Sequence, residues 1–146
     1  MIPYSYLLVS LQFFLIGVIL SVTAFSFVWR PSGAVLFLMG VVVGIAALMR
    51  NRLGNFNIVP DLKEGCSLVT NGIYAYIRHP MYTSVILMSL GVSLLSRFYT
   101  VLLIVCALLL FVLFLKAKRE ESLWCSHDRR YEAYRRKTRY FIPYIL

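Results

Sequence analysis

Four long stretches of this 146-residue chain carry no charge: residues 1–29, 31–49, 80–96 and 98–115 contain no Asp, Glu, Lys or Arg. A bilayer core of ~30 Å needs about 20 mostly apolar helical residues, with a working range of about 17–25. The stretches therefore predict four transmembrane helices, roughly Tyr4–Trp29, Ser32–Met49, Met81–Ser96 and Phe98–Leu115, the third being the shortest. A signal peptide in place of the first span requires a basic n-region and a small-residue cleavage site, and neither is evident. Only 14% of the residues are charged and 60% are hydrophobic, against about a quarter and a half in soluble domains. The fold class expected is an all-α integral membrane protein, a single membrane domain over residues 1–146.

The net charge of +9 raises nucleic acid as a partner, and its distribution argues against one. Arg30 and Arg97 lie in the two short connections, while the other Lys and Arg fall in residues 50–79 or after 115, together with every acidic residue. Four spans place those two segments on the same side, and the positive-inside rule makes that side cytoplasmic, with both termini inside. The basic charge then reads as topology and as contact with anionic membrane lipids. Cys66, Cys106 and Cys125 form no CxxC pair and suggest no disulfide framework in that compartment. His79 and His127 do not share a helical ligand spacing, so no metal site is expected.

The predicted spans carry no ionisable residue of the kind that pumps and channels use within the membrane. Their polar residues, among them Ser10, Gln12, Thr23, Ser84 and Ser93, suit hydrogen bonding between helices, and Gly40 and Gly44 form a GxxxG on the second span. Chemistry is therefore expected at the cytoplasmic face. There, Asn71-Gly72 signals a turn, and Pro80 suits the first turn of a helix, where a missing N–H costs nothing. Arg78 and His79 then stand just before a helix N-terminus, where free N–H groups and the helix dipole favour an anion. From the residues alone, this segment fits an anion site and an interfacial Arg-aromatic anchor equally well. The tail after Leu115 is strongly basic with interleaved aromatics, which suits a C-terminal amphipathic helix on the membrane surface.

The run Leu68-Val69-Thr70-Asn71-Gly72-Ile73-Tyr74-Ala75-Tyr76-Ile77-Arg78-His79-Pro80-Met81-Tyr82 resembles the isoprenylcysteine carboxyl methyltransferase family, whose pattern is roughly L-V-x-x-G-x-Y-x-x-x-R-H-P-x-Y. A second family element, a Glu pair followed by a Tyr-x-x-Tyr helix and a closing Pro, is matched by Glu120-Glu121, Tyr131-Glu132-Ala133-Tyr134 and Pro143. The resemblance covers roughly residues 56–146. It implies a membrane methyltransferase that uses S-adenosylmethionine and releases S-adenosylhomocysteine. Carried over by position, it implies cofactor contacts at Cys66, Ser67, Leu68, Val69, Tyr74, Arg78, His79, Pro80, Met81 and Tyr82, with Glu120 reaching in from the last helix. It also places a basic residue one turn before the Glu pair to orient the substrate. Lys116 stands there, with Arg119 the neighbouring candidate.

The chain departs from the pattern in three places. His127-Asp128 stands where a Phe-Gly is usual, and the Glu pair is one residue closer to Tyr131, which shifts Glu120 against Glu121. Thr83-Ser84 replaces a small residue followed by Gly. The expected acceptor is a lipid-like or prenylated substrate bearing a carboxylate, which needs no base. A phospholipid amine would need one, and Glu121 or His79 is then the candidate. A sterol-type reductase using NADPH, which carries a related Arg-His-Pro element, and a non-enzymatic membrane scaffold are the readings from other classes.

Overall fold

A computed structural model describes residues 4–51, 58–61 and 65–142, all helix and connecting chain. Among the described residues the elements are α1 (Tyr4–Phe25), α2 (Pro31–Arg50), a 3-10 turn (Gly72–Ala75), α3 (Pro80–Leu94), α4 (Tyr99–His127) and α5 (Arg130–Lys137). α1, α2 and α4 are long and apolar enough to cross a membrane, and the chain is a multi-pass membrane protein. The expected third span is shorter: α3 has 15 residues, ~22 Å of helix at ~1.5 Å per residue. The expectation of about four spans thus corresponds, among the described residues, to three helices long enough to cross and one shorter apolar helix. The first helix ends at Phe25 rather than Trp29.

The tail also differs from expectation. α4 does not stop near Leu115 but runs unbroken to His127, 29 residues in all. That is ~44 Å, more than a hydrocarbon core of ~30 Å, so the last three turns project beyond the apolar part and carry Lys116, Arg119, Glu120 and Glu121. Only Arg130–Lys137 forms a separate C-terminal helix. Pro143, the closing residue of the expected pattern, lies outside the described residues.

Lipid tails are as apolar as leucine, so helices in a membrane gain most from close backbone packing. The α2–α3 seam follows that rule. A Cβ added at Gly40 would lie 2.7 Å from the Met88 side chain, and one at Gly91 would lie 2.5 Å from the backbone nitrogen of Phe37. Ser84 Oγ donates to the Gly40 carbonyl across the seam at 2.7 Å. The α1–α4 side packs leucines instead, with Leu8, Leu15, Ile19, Leu102, Leu109 and Leu113 all buried. At the far end, Val28 N donates to Leu95 O at 2.7 Å, and Arg97 N to Ser26 O at 2.8 Å. Arg30 caps the last turn of α3 through Leu94 O and Ser96 O, each at 2.7 Å.

Candidate active site

At the opposite end of the bundle the chain enters α3 through Arg78-His79-Pro80. Pro80 opens the helix with His79 as its N-cap residue, the arrangement expected for Pro at the first helical position. Gly72 starts the preceding 3-10 turn at φ +60°, a left-handed conformation that glycine adopts without steric cost. A strand-like return of the C-terminal segment then fixes the approach. Arg78 N donates to Arg139 O at 2.7 Å, Arg139 N to Tyr76 O at 3.1 Å, and His79 N to Tyr140 O at 3.1 Å.

This framework bounds a cleft enclosing about 840 Å³ of empty space, part of it open to solvent. Its lining includes Cys66, Ser67, Leu68 and Val69 outside any helix, Tyr74, Arg78, His79, Pro80, Met81 and Tyr82, and Glu120 from α4. Each position expected to meet a cofactor is thus brought to one cavity. Asn51, Val59, Asp61, Trp124, Tyr131 and Tyr134 join them. Tyr131 and Tyr134 belong to the second family element, and the other four were missed from the sequence, although Trp124, four residues after Glu120, shares its helix face.

The two glutamates part company here. Glu120 faces the cleft, accepts a hydrogen bond from Tyr82 Oη and lies 3.4 Å from His79 Nδ1. Glu121 is buried behind the lining, 2.5 Å from Arg78 Nε and 3.3 Å from His79 Nε2. Both ring nitrogens of His79 therefore face carboxylates, which the doubly protonated imidazolium satisfies as two donors. Burial opposes that charge, but the hydrogen bonds the ring donates to Glu120 and Glu121 override this and raise the His79 pKa above its usual 6.5. Burial also opposes ionisation of Glu121, and bonds from His79 and Arg78 nevertheless hold its pKa below the usual carboxylate value. Burial pushes the Tyr74 hydroxyl up to about 12 and raises Tyr131 and Tyr134 as well, so these rings stay neutral near pH 7.

Lys116, Arg119 and Glu121, expected to act on the substrate, are not in the cleft lining. Arg119 sits at the rim, its side chain 39% exposed, 3.0 Å from the cleft-lining Asp61. Lys116 is buried between α1 and residues 58–61, donating to Gln12 Oε1 at 2.6 Å and Ile58 O at 3.0 Å.

Fold and site define a multi-pass membrane protein with a polar, aromatic-walled cleft where its helices emerge. Residues 28–127 match the phospholipid methyltransferase family, and the chain belongs to it. The protein-S-isoprenylcysteine O-methyltransferase of Schizosaccharomyces pombe (strain 972 / ATCC 24843) is 39% identical over 79 residues. That match covers 53% of this chain and 34% of the yeast protein, so the chain spans about a third of its relative's length. The similarity to the isoprenylcysteine family and membership of a methyltransferase family therefore agree.

Proposed function

We propose that this protein is a membrane methyltransferase that holds S-adenosylmethionine in the cleft and methylates the carboxylate of a lipid-like acceptor such as a prenylated cysteine. The observation that carries the reading is the convergence of Cys66–Val69, Tyr74, Arg78–Tyr82 and Glu120 on one cavity. The residues present fit such a cofactor, which is a cationic nucleoside joined to an amino acid. Chain without regular structure at Cys66–Val69 offers backbone amides and carbonyls outside any helix. Glu120 offers a carboxylate to the amino group, and neutral aromatic faces favour a nearby cation. When bound, the cofactor supplies an electrophilic methyl group on sulfur. Displacement at that carbon is in line, so the protein's own task is alignment.

The charge state of the site favours a carboxylate acceptor. An amine must lose a proton to a base, yet both ring nitrogens of His79 face carboxylates, which favours its protonated form, and Glu121 is committed to Arg78. A carboxylate is already ionised and needs only a cation beside it. Arg119, half exposed at the rim, is the residue we assign to orient it. The short α3 suits a lipid-borne acceptor. With Arg30 and Arg97 anchoring its far end among headgroups, ~22 Å of helix ends about 8 Å short of a ~30 Å core. The cleft at its N-terminus then lies about 8 Å inside the hydrocarbon boundary, within reach of lipid tails, on the cytoplasmic side by the positive-inside rule.

The test is methyl transfer from labelled S-adenosylmethionine by the purified protein in detergent. Label in prenyl-cysteine analogues, released by mild alkali as expected of a methyl ester, supports the reading. Alkali-stable label in phosphatidylethanolamine alone overturns the carboxylate assignment while keeping the methyl donor.

A further inference from the structure

The spans read as a scaffold, yet α1 buries Ser5, Gln12 and Thr23. Thr23 makes an ordinary interhelical bond to the α3 backbone, at Val92 O. Ser5 and Gln12, two turns apart and so on one helix face, point instead to the segment at residues 58–61. Ser5 Oγ donates to Asp61 Oδ1 at 3.0 Å. Gln12 meets Ile58 through Lys116, whose Nζ donates to both.

Lys116 is only 1% exposed. Two of its three N–H donors are spent on neutral oxygens, and Nζ lies 5.2 Å over the ring of Tyr82. Tyr82 in turn holds Glu120. Burying an ammonium is costly unless it is bonded, and a methionine of similar reach would avoid that cost. What the charge does here is tie α1, residues 58–61 and Tyr82 together at the back of the cleft, where Val59, Asp61 and Tyr82 form part of the lining.

We propose that Lys116, with Gln12 and Ser5, is a positioning residue: it clamps residues 58–61 and Tyr82 from α1 and so shapes the cofactor side of the cleft, without touching the acceptor. This rests on the reading of the cleft as the cofactor site. It gives the first helix a part in binding and a role to Lys116 different from the substrate contact implied by its sequence position.

The variants are Lys116→Met, Gln12→Leu and their combination, with Gln12→Glu as the conservative replacement that keeps an acceptor for Nζ. The dissociation constant of S-adenosylhomocysteine and KM for S-adenosylmethionine rise about tenfold in both single variants. KM for the acceptor stays unchanged, the double variant is no worse than either single, as expected of residues acting as a unit, and Gln12→Glu retains near-normal binding. A raised acceptor KM with unchanged S-adenosylhomocysteine affinity in Lys116→Met overturns the proposal, as does unaltered binding in Gln12→Leu. Hydrogen exchange at residues 58–61 without any ligand is the independent measurement. Exchange at least about tenfold faster in Lys116→Met and Gln12→Leu is expected, and unchanged exchange contradicts the clamp. If the unmutated protein binds no S-adenosylhomocysteine, the cofactor reading fails, while the exchange rates still decide whether the clamp exists.

Discussion

Two arginines stand at the two ends of α3, and they are held in opposite ways. Arg30 meets the C-terminal end, where the helix dipole favours a cation, and caps Leu94 O and Ser96 O. Arg78 meets the N-terminal end, where the dipole disfavours one. It is kept there by Glu121, by Thr138 O at 2.5 Å, by Arg135 O at 3.1 Å and by the Tyr140 ring 4.4 Å away. The far end thus follows the dipole rule. The near end breaks a local rule, and distant parts of the chain compensate. That pattern is typical of a functional site, because it fixes His79 and Glu120 in a geometry their own helices do not dictate.

Breaking each arginine separates the two cases. Arg78→Met leaves the Glu121 carboxylate buried without its closest cation, and loss of one partner from a buried pair costs about 3–5 kcal/mol. The expected outcome is a large drop in the unfolding midpoint in detergent, or failure to fold, and Glu121→Gln does similar damage. Arg30→Met loses two charged hydrogen bonds at a partly exposed end, a cost of about 2 kcal/mol, with S-adenosylhomocysteine binding intact. Equal losses from the two arginines break the comparison.

Within the near end, the two glutamates sharpen it. Glu120→Gln removes a charge that faces the cleft, so ligand affinity falls by about tenfold or more while the unfolding midpoint moves little. Glu121→Gln lowers the midpoint. A reversed pattern assigns the cleft to the wrong glutamate.

The smallest effect is the pH dependence. His79 has a folded pKa above its usual 6.5, so the folded state binds this proton more tightly than the unfolded state does. The stabilisation is fully present below 6.5 and is lost as pH rises through the folded value. The midpoint should decline over that interval in the unmutated protein, and the decline should disappear in His79→Gln.

How much of this was legible depends on how local the cause is. Charge-free runs located the helices, and Pro80 located the start of α3, because both are properties of contiguous residues. The GxxxG at Gly40 and Gly44 was a faint signal that became the α2–α3 seam. The continuation of α4 past Leu115 was hidden by a change from apolar to charged residues, which marks the membrane boundary rather than the helix end. That same boundary hid Trp124 as a wall of the cleft. The return of Thr138–Phe141 along Tyr76–His79 has no periodicity to reveal it, since backbone pairing between distant segments depends on how the whole chain closes. Lys116 was visible as a residue and not as a clamp, because Gln12 lies more than a hundred positions away.

The central claim is that the cleft holds a methyl donor through Glu120 and the residues around His79. Calorimetric titration of S-adenosylhomocysteine into the purified protein in detergent, beside Glu120→Gln and His79→Ala, tests it most directly. The account predicts saturable binding to the unmutated protein, weakened by at least about tenfold, or ~1.4 kcal/mol, in both variants. Saturable binding of NADPH with none of S-adenosylhomocysteine, or equal affinity in all three proteins, contradicts it.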